Sequence, residues 1–358
     1  MTDALFTPTQ AGSIPTRNRL VMAPMTRNRA GEGEAPGPLN AEYYAQRAGA
    51  GLIVTEGTQP TADGQGYPHT PGLHTDAHID GWRQVADAVH AADGRIVVQL
   101  MHSGRISHPS IIGCTPVAPS AVKPAGEVFT GAGTEPYVTP QELTTSEVEV
   151  LVQGYADAAR RAIDAGLDGV ELHGANGYLL AQFGATGTNK RTDRFGGDAR
   201  GRATFLREVV AATVDAIGAD RVGLRLSPGN PFNDLLDDEP REGFAAAVKI
   251  AQDAGLAYVH VCETGPGADW SAVADARAAF SGTLIASNGF EQEWSFDELA
   301  ALVADGKADL VAIGRRYLAN PDLDERIRTG APLNAGDEDT YYGGGGAGYT
   351  DYPALQAA

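Results

Sequence analysis

The chain has 358 residues, 42% hydrophobic and 20% charged, enough to bury one large core or two ordinary ones. A formal charge of −19 argues against nucleic acid and anionic membrane as partners, because both select basic surfaces. Two cysteines far apart in sequence, Cys114 and Cys262, exclude a cysteine-based zinc site or iron–sulfur cluster.

The opening residues, MTDALFTPTQ, lack the basic region and apolar run of a signal peptide. No stretch approaches the ~20 apolar residues a membrane helix requires, so a cytoplasmic chain is expected. Residues 1–17 precede the first strand and are expected to plug one end of the fold. Eight β-branched runs follow: NRLVMAPMT (18–26), GLIVTEGTQ (51–59), RIVVQLMHS (95–103), LDGVELHGA (167–175), RVGLRLSP (221–228), LAYVHVCET (256–264), GTLIASNG (282–289) and ADLVAIGRR (308–316). Helical spacing fills most of the intervals. In SEVEVLVQGYADAARRAIDAG, Val148, Val152, Tyr155, Ala159 and Ile163 form one stripe, with Ser146 expected as the cap.

Eight alternating strands and helices predict a single (β/α)8 barrel domain over residues 1–358, in preference to a doubly wound open sheet. Residues 104–145, rich in Pro and Gly, are too long for a plain connection and are expected to fold over the barrel mouth. The tail, 331–358, contains GGGGAG at 343–348, which follows no strand and opens no helix. It is expected to be a flexible lid or disordered rather than a dinucleotide loop.

In such a barrel the strand C-termini carry the active site. They deliver Pro24, Met25 and Thr26; Glu56, Gly57 and Thr58; Gln99, Met101 and His102; His173, Asn176 and Tyr178; Arg225; Asn288 and Gly289; Gly314 and Arg315. The loops after strands seven and eight commonly cradle a phosphate, so Asn288-Gly289 and Gly314-Arg315 read as a local positive niche in an acidic protein. Gln99 and Arg225, a planar amide and a fixed cation, suit a ring with carbonyls and ring nitrogens, such as a flavin pyrimidine.

These stretches resemble the Old Yellow Enzyme family of FMN-dependent ene-reductases along nearly the whole chain. The matching segments are NRLVMAPMTR (18–27), TEGTQ (55–59), VVQLMHSGRISH (97–108), ELHGANGYLLAQF (171–183), TNKRTDRFGG (188–197), RLSP (225–228), AIGRRYLANPDL (312–323) and GYTDYP (348–353). The resemblance implies non-covalent FMN, held through Pro24, Met25, Thr26 and Gly57, with Gln99 and Arg225 on the pyrimidine and Asn288, Gly289, Gly314 and Arg315 on the phosphate. It implies NADPH or NADH as electron donor and activated alkenes as substrates: α,β-unsaturated aldehydes, ketones, imides or nitroalkenes. Phenols are the expected inhibitors. His173 and Asn176, if the chain turns helically after His173, face the same way at i, i+3 and would donate to one substrate oxygen. Tyr178 would supply the proton. Tyr67, Met101 and Tyr349 are expected to line the substrate pocket, Met101 standing where many relatives have Trp. Reductive denitration of nitrate esters or nitroaromatics on the same site, or a non-catalytic flavin binder, are the alternatives. A monomer or homodimer is expected.

Overall fold

A computed structural model describes residues 2–264, 269–289 and 294–355. Eight parallel strands close into a barrel in chain order: β1 (Leu20–Met22), β2 (Leu52–Thr58), β3 (Ile96–Leu100), β4 (Gly169–Gly174), β5 (Val222–Leu226), β6 (Tyr258–Glu263), β7 (Thr283–Asn288) and β8 (Leu310–Ile313). β8 pairs with β1, which closes the ring. The longer helices between and after them are α1 (Pro38–Ala45), α2 (Asp76–Ala91), α3 (Thr145–Asp164), α4 (Thr204–Ile217), α5 (Pro240–Ala254), α6 (Ser271–Ala279), α7 (Phe296–Ala304) and α8 (Leu323–Thr329). All eight strands fall within the runs read from sequence. Parallel strands are covered on both faces, so their sequences are apolar almost throughout and stand out from the helices.

Side chains alternate between the two faces of each strand. Ile53, Val98, Leu172, Leu224 and Val259 point outward into the layer against the helices. Val21, Leu52, Val54, Val97, Tyr258, Ile285, Leu310 and Ala312 point inward and pack together at the barrel's N-terminal end. Gly223 makes room there: a Cβ on it would lie 2.1 Å from the Tyr258 ring. The same end is sealed by a hairpin, Thr9–Ala11 paired with Ile14–Thr16, whose Ala11 and Ile14 join the inward cluster. Its turn residue Gly12 has φ +62° and sits so close to Asp220 that a Cβ would be 2.2 Å from the carbonyl oxygen. Only glycine meets both demands.

The cap of α3 differs from expectation. Thr144, not Ser146, accepts from the Glu147 amide, and the Glu147 carboxylate accepts in return from the Thr144 N–H and hydroxyl. Ser146 also has an acid three residues on, Glu149, but Ser146 already lies inside the helix, which begins at Thr145, and Glu149 pairs with Arg194 instead.

The excursion after β3 crosses the opposite end. It carries a hairpin, Glu127–Phe129 with Thr134–Pro136, and a second strand pair, Val117–Ala118 with Gln141–Glu142. Buried arginines pin it down through carbonyls. Arg105 donates to Val122 and Asp234, and Arg191 donates to Pro119 and Leu143.

The tail also departs from expectation. Arg27 donates to the carbonyls of Tyr341 and Gly348, and Arg29 to those of Thr340, Gly345 and Ala347. The glycine run is a tethered loop, because two buried guanidinium groups supply the donors its backbone carbonyls need. No helix among the described residues is long and apolar enough to cross a membrane.

Candidate active site

A cavity of about 870 Å³ opens at the C-terminal ends of the strands. Its walls bring together Pro24, Met25, Thr26, Gly57, Tyr67, Gln99, Met101, His173, Asn176, Tyr178, Arg225, Asn288, Gly289, Gly314 and Arg315. One expected residue is missing. Tyr349 is fully buried away from the cavity, stacked on Tyr43 at 4.1 Å and contacted by the guanidinium groups of Arg27 and Arg29. Those two arginines turn it into an anchor for the tail, and Tyr341, Tyr342 and Gly343 line the cavity instead.

Alternation explains how β4 carries polar groups out of an apolar core. Glu171 and His173 are inward positions alternating with the outward Val170 and Leu172. The chain then leaves the strand by a turn unlike the helical one expected from spacing. Asn176 and Gly177 have φ of +56° and +74°, and the Tyr178 amide bonds to the Ala175 carbonyl at 3.3 Å. Two left-handed central residues make this a primed-type turn, for which Asn-Gly is the preferred pair. Gly177 has a second reason to be glycine: a Cβ would lie 2.6 Å from the Phe232 carbonyl oxygen.

The loop after β5 holds that turn. Ser227 Oγ accepts from the Asn176 amide at 2.8 Å, and Asn233 Nδ2 donates to the Asn176 carbonyl at 2.8 Å. Asn230 fixes the side chain. Its Oδ1 accepts from the Phe232 backbone N–H, which can only donate, so its Nδ2 must face outward and donate to Asn176 Oδ1 at 2.9 Å. With its oxygen occupied, Asn176 is left with its amide N–H groups as the free half. The sequence reading missed Asn230.

His173 is buried, and its Nδ1 has no hydrogen-bond partner among the described residues. Burial, reinforced by the charge of Arg225 and by His260, holds its pKa well below the usual histidine value, so the ring is neutral at physiological pH. Tyr178 is buried beside it, ring centroids 5.1 Å apart, with its hydroxyl 3.0 Å from that of Tyr67. Burial raises both phenols, and the pair share a hydrogen bond, so both are protonated at neutral pH.

Arg225 is buried with its Nε unpartnered, and it makes no ion pair with a described carboxylate. A buried guanidinium with an unmet donor is a place for a ligand acceptor. Gly57 makes room for Met101 in the cavity wall, since a Cβ there would lie 2.6 Å from Met101 Sδ. Beneath the floor, Gln99, Glu171, His260 and Ser287 form a buried polar chain that the sequence reading did not pick up. A charged residue inside an otherwise apolar parallel strand was the available signal. Among the described residues, no group of three or more His, Cys, Asp or Glu could hold a metal ion.

The family model for the NADH:flavin oxidoreductase / NADH oxidase family matches residues 4–334. The chain belongs to the Old Yellow Enzyme family. It is 43% identical to a protein of Leishmania infantum named a probable flavin mononucleotide-dependent alkene reductase, over 99% of this chain and 98% of the other. It is 40% identical to 12-oxophytodienoate reductase 7 of Oryza sativa subsp. japonica, covering 98% and 94%. Among solved structures, the old yellow enzyme homologue from Zymomonas mobilis superposes with TM-score 0.94 at 37% identity, covering 98% and 99%. Morphinone reductase in complex with tetrahydroNAD superposes with TM-score 0.92 at 45% identity, covering 98% of both chains. The protein is thus a flavin oxidoreductase, on a barrel it shares with other Old Yellow Enzymes.

Proposed function

We propose that the protein reduces activated C=C bonds, in α,β-unsaturated aldehydes, ketones, imides and nitroalkenes, at the expense of NADPH or NADH. The single observation that carries this reading is the wall formed by His173, Asn176 and Tyr178. Two groups able to donate N–H and one protonated phenol converge there, and holding a flavin requires none of them.

FMN, when bound, supplies the hydride chemistry that links the nicotinamide to the alkene. Its fit rests on the unpartnered Arg225 guanidinium and Gln99 for the pyrimidine edge, with Pro24, Met25, Thr26 and Gly57 alongside. Asn288, Gly289, Gly314 and Arg315, at the ends of β7 and β8, are the candidates for its phosphate.

As the alkene's β carbon gains hydride, negative charge develops on the conjugated oxygen. The Asn176 amide and neutral His173 stabilise that oxygen as two preset donors, each worth ~3 kcal/mol in comparable sites. Because burial holds His173 neutral, it carries no imidazolium proton to give, and the protonated Tyr178 phenol is the acid for the α carbon. Tyr67, hydrogen-bonded to Tyr178, orients its hydroxyl. Met101, Tyr67 and Tyr342 shape the substrate space.

The test is direct. Protein purified with FMN is expected to be yellow, and to oxidise NADPH steadily when a cyclic enone is added under nitrogen. A coloured protein that consumes no nicotinamide with any enone or nitroalkene would leave only flavin binding.

A further inference from the structure

The floor of the cavity contains a chain of hydrogen bonds whose direction is fixed by chemistry. Gln99 and Glu171 are register partners on β3 and β4, and Gln99 Nε2 donates to Glu171 Oε1 at 2.7 Å. The second Glu171 oxygen lies 2.9 Å from His260 Nδ1, and His260 Nε2 lies 2.9 Å from Ser287 Oγ. All four side chains are buried, Glu171 and His260 completely. Burial alone would push the Glu171 carboxyl up, but His260, Arg225 and the Gln99 amide outweigh it and hold it below the usual carboxylate range. Glu171 is therefore ionised and can only accept. It forces the Nε2 end of Gln99 toward itself and leaves Oε1 as the atom Gln99 offers to the cavity, where no described residue donates to it.

We propose that Glu171 is a positioning residue that sets the polarity of the Gln99 amide, with His260 and Ser287 holding Glu171 in turn. The inference rests on the flavin reading above. An acceptor at Gln99 beside the Arg225 donor selects a ligand edge with an N–H next to a carbonyl, which is the pattern of an imide or pyrimidinedione. With Gln in place of Glu171 the neighbour can donate as well as accept, so either orientation of the Gln99 amide is satisfied and the cavity floor loses its preference for an N–H. A residue that merely supports the barrel would weaken all ligands alike; one that fixes amide polarity weakens discrimination.

The experiment titrates flavin-stripped full-length protein with FMN and with N3-methyl-FMN, following quenching of flavin fluorescence. The unmutated protein is expected to prefer FMN by about tenfold, and Glu171→Gln to reduce that preference to about twofold. An undiminished preference in Glu171→Gln would overturn the proposal. A second measurement needs no change at Glu171. In protein labelled with ¹⁵N-glutamine, the Gln99 side-chain amide, assigned by its loss in Gln99→Met, is expected to show one downfield proton protected from exchange. Two rapidly exchanging protons would overturn the proposal. Failure of the unmutated protein to bind FMN overturns the flavin reading instead, and the protected proton still decides what Glu171 does.

Discussion

At the N-terminal end of the barrel, Val21, Leu52, Val97, Ile285 and Leu310 meet Ala11 and Ile14 of the plug hairpin. A step or two further up the strands, the inward residues are Gln99, Glu171, His173, Arg225 and His260. The same alternation delivers both sets, so neither the fold nor the period decides which end is reactive. The difference lies in what closes each end. A hairpin carrying its own apolar side chains permits a dry, filled floor. Loops pinned through backbone carbonyls by Arg27, Arg29 and Arg105 leave a space that polar groups can face.

The contrast breaks most sharply at the donor wall. If His173 and Asn176 are the two oxyanion donors proposed above, replacing both by alanine should cost about 6 kcal/mol or ~10⁴-fold in kcat/KM with a cyclic enone. The long-wavelength absorbance band expected with bound phenols should vanish with them. At the other end, Ile14→Ala opens the apolar floor and should cost about 3 kcal/mol in urea unfolding while leaving enone turnover unchanged. A matching loss of activity would show that the two ends are coupled. Tyr178→Phe sharpens the division of labour within the wall: turnover of the enone should fall ~100-fold while bleaching by NADPH, followed by stopped flow, stays nearly constant. Equal losses in both would remove Tyr178 from the proton step.

The smallest effect concerns Glu56, buried at the end of β2, where it accepts from the Arg27 amide and the Tyr44 hydroxyl. Burial raises its pKa to about 7, partly offset by the Arg27 amide and charge. A carboxyl raised in the folded state is most stabilising when protonated, below its unfolded value near 4.5, and that contribution is lost as pH rises through about 7. Glu56→Gln should flatten the fall in stability across that window by ~2 kcal/mol. Parallel unfolding curves for the two proteins from pH 5 to 8 would refute this.

The barrel was legible in the sequence because fully covered parallel strands leave continuous apolar runs, and strand ends then order the polar residues. The turn at Asn176 was misread because His-x-x-Asn spacing fits a helix as well as a strand end followed by a primed turn, and only φ separates them. Tyr349 and Tyr342 sit in one glycine-rich segment without periodicity, so nothing local shows which ring is buried. Arg27 and Arg29, more than 300 residues earlier, decide it. Asn230 and Glu171 act on other side chains rather than on the cavity itself, a role that spacing alone does not reveal.

The tethered tail has a consequence for biosynthesis. Tyr341, Tyr342 and Gly343 follow β8 in the chain, so a nascent polypeptide can complete its ring of strands before one wall of the pocket has emerged. Ligand capture during translation would then have to wait for two arginines, made more than 300 residues earlier, to gather in that late segment.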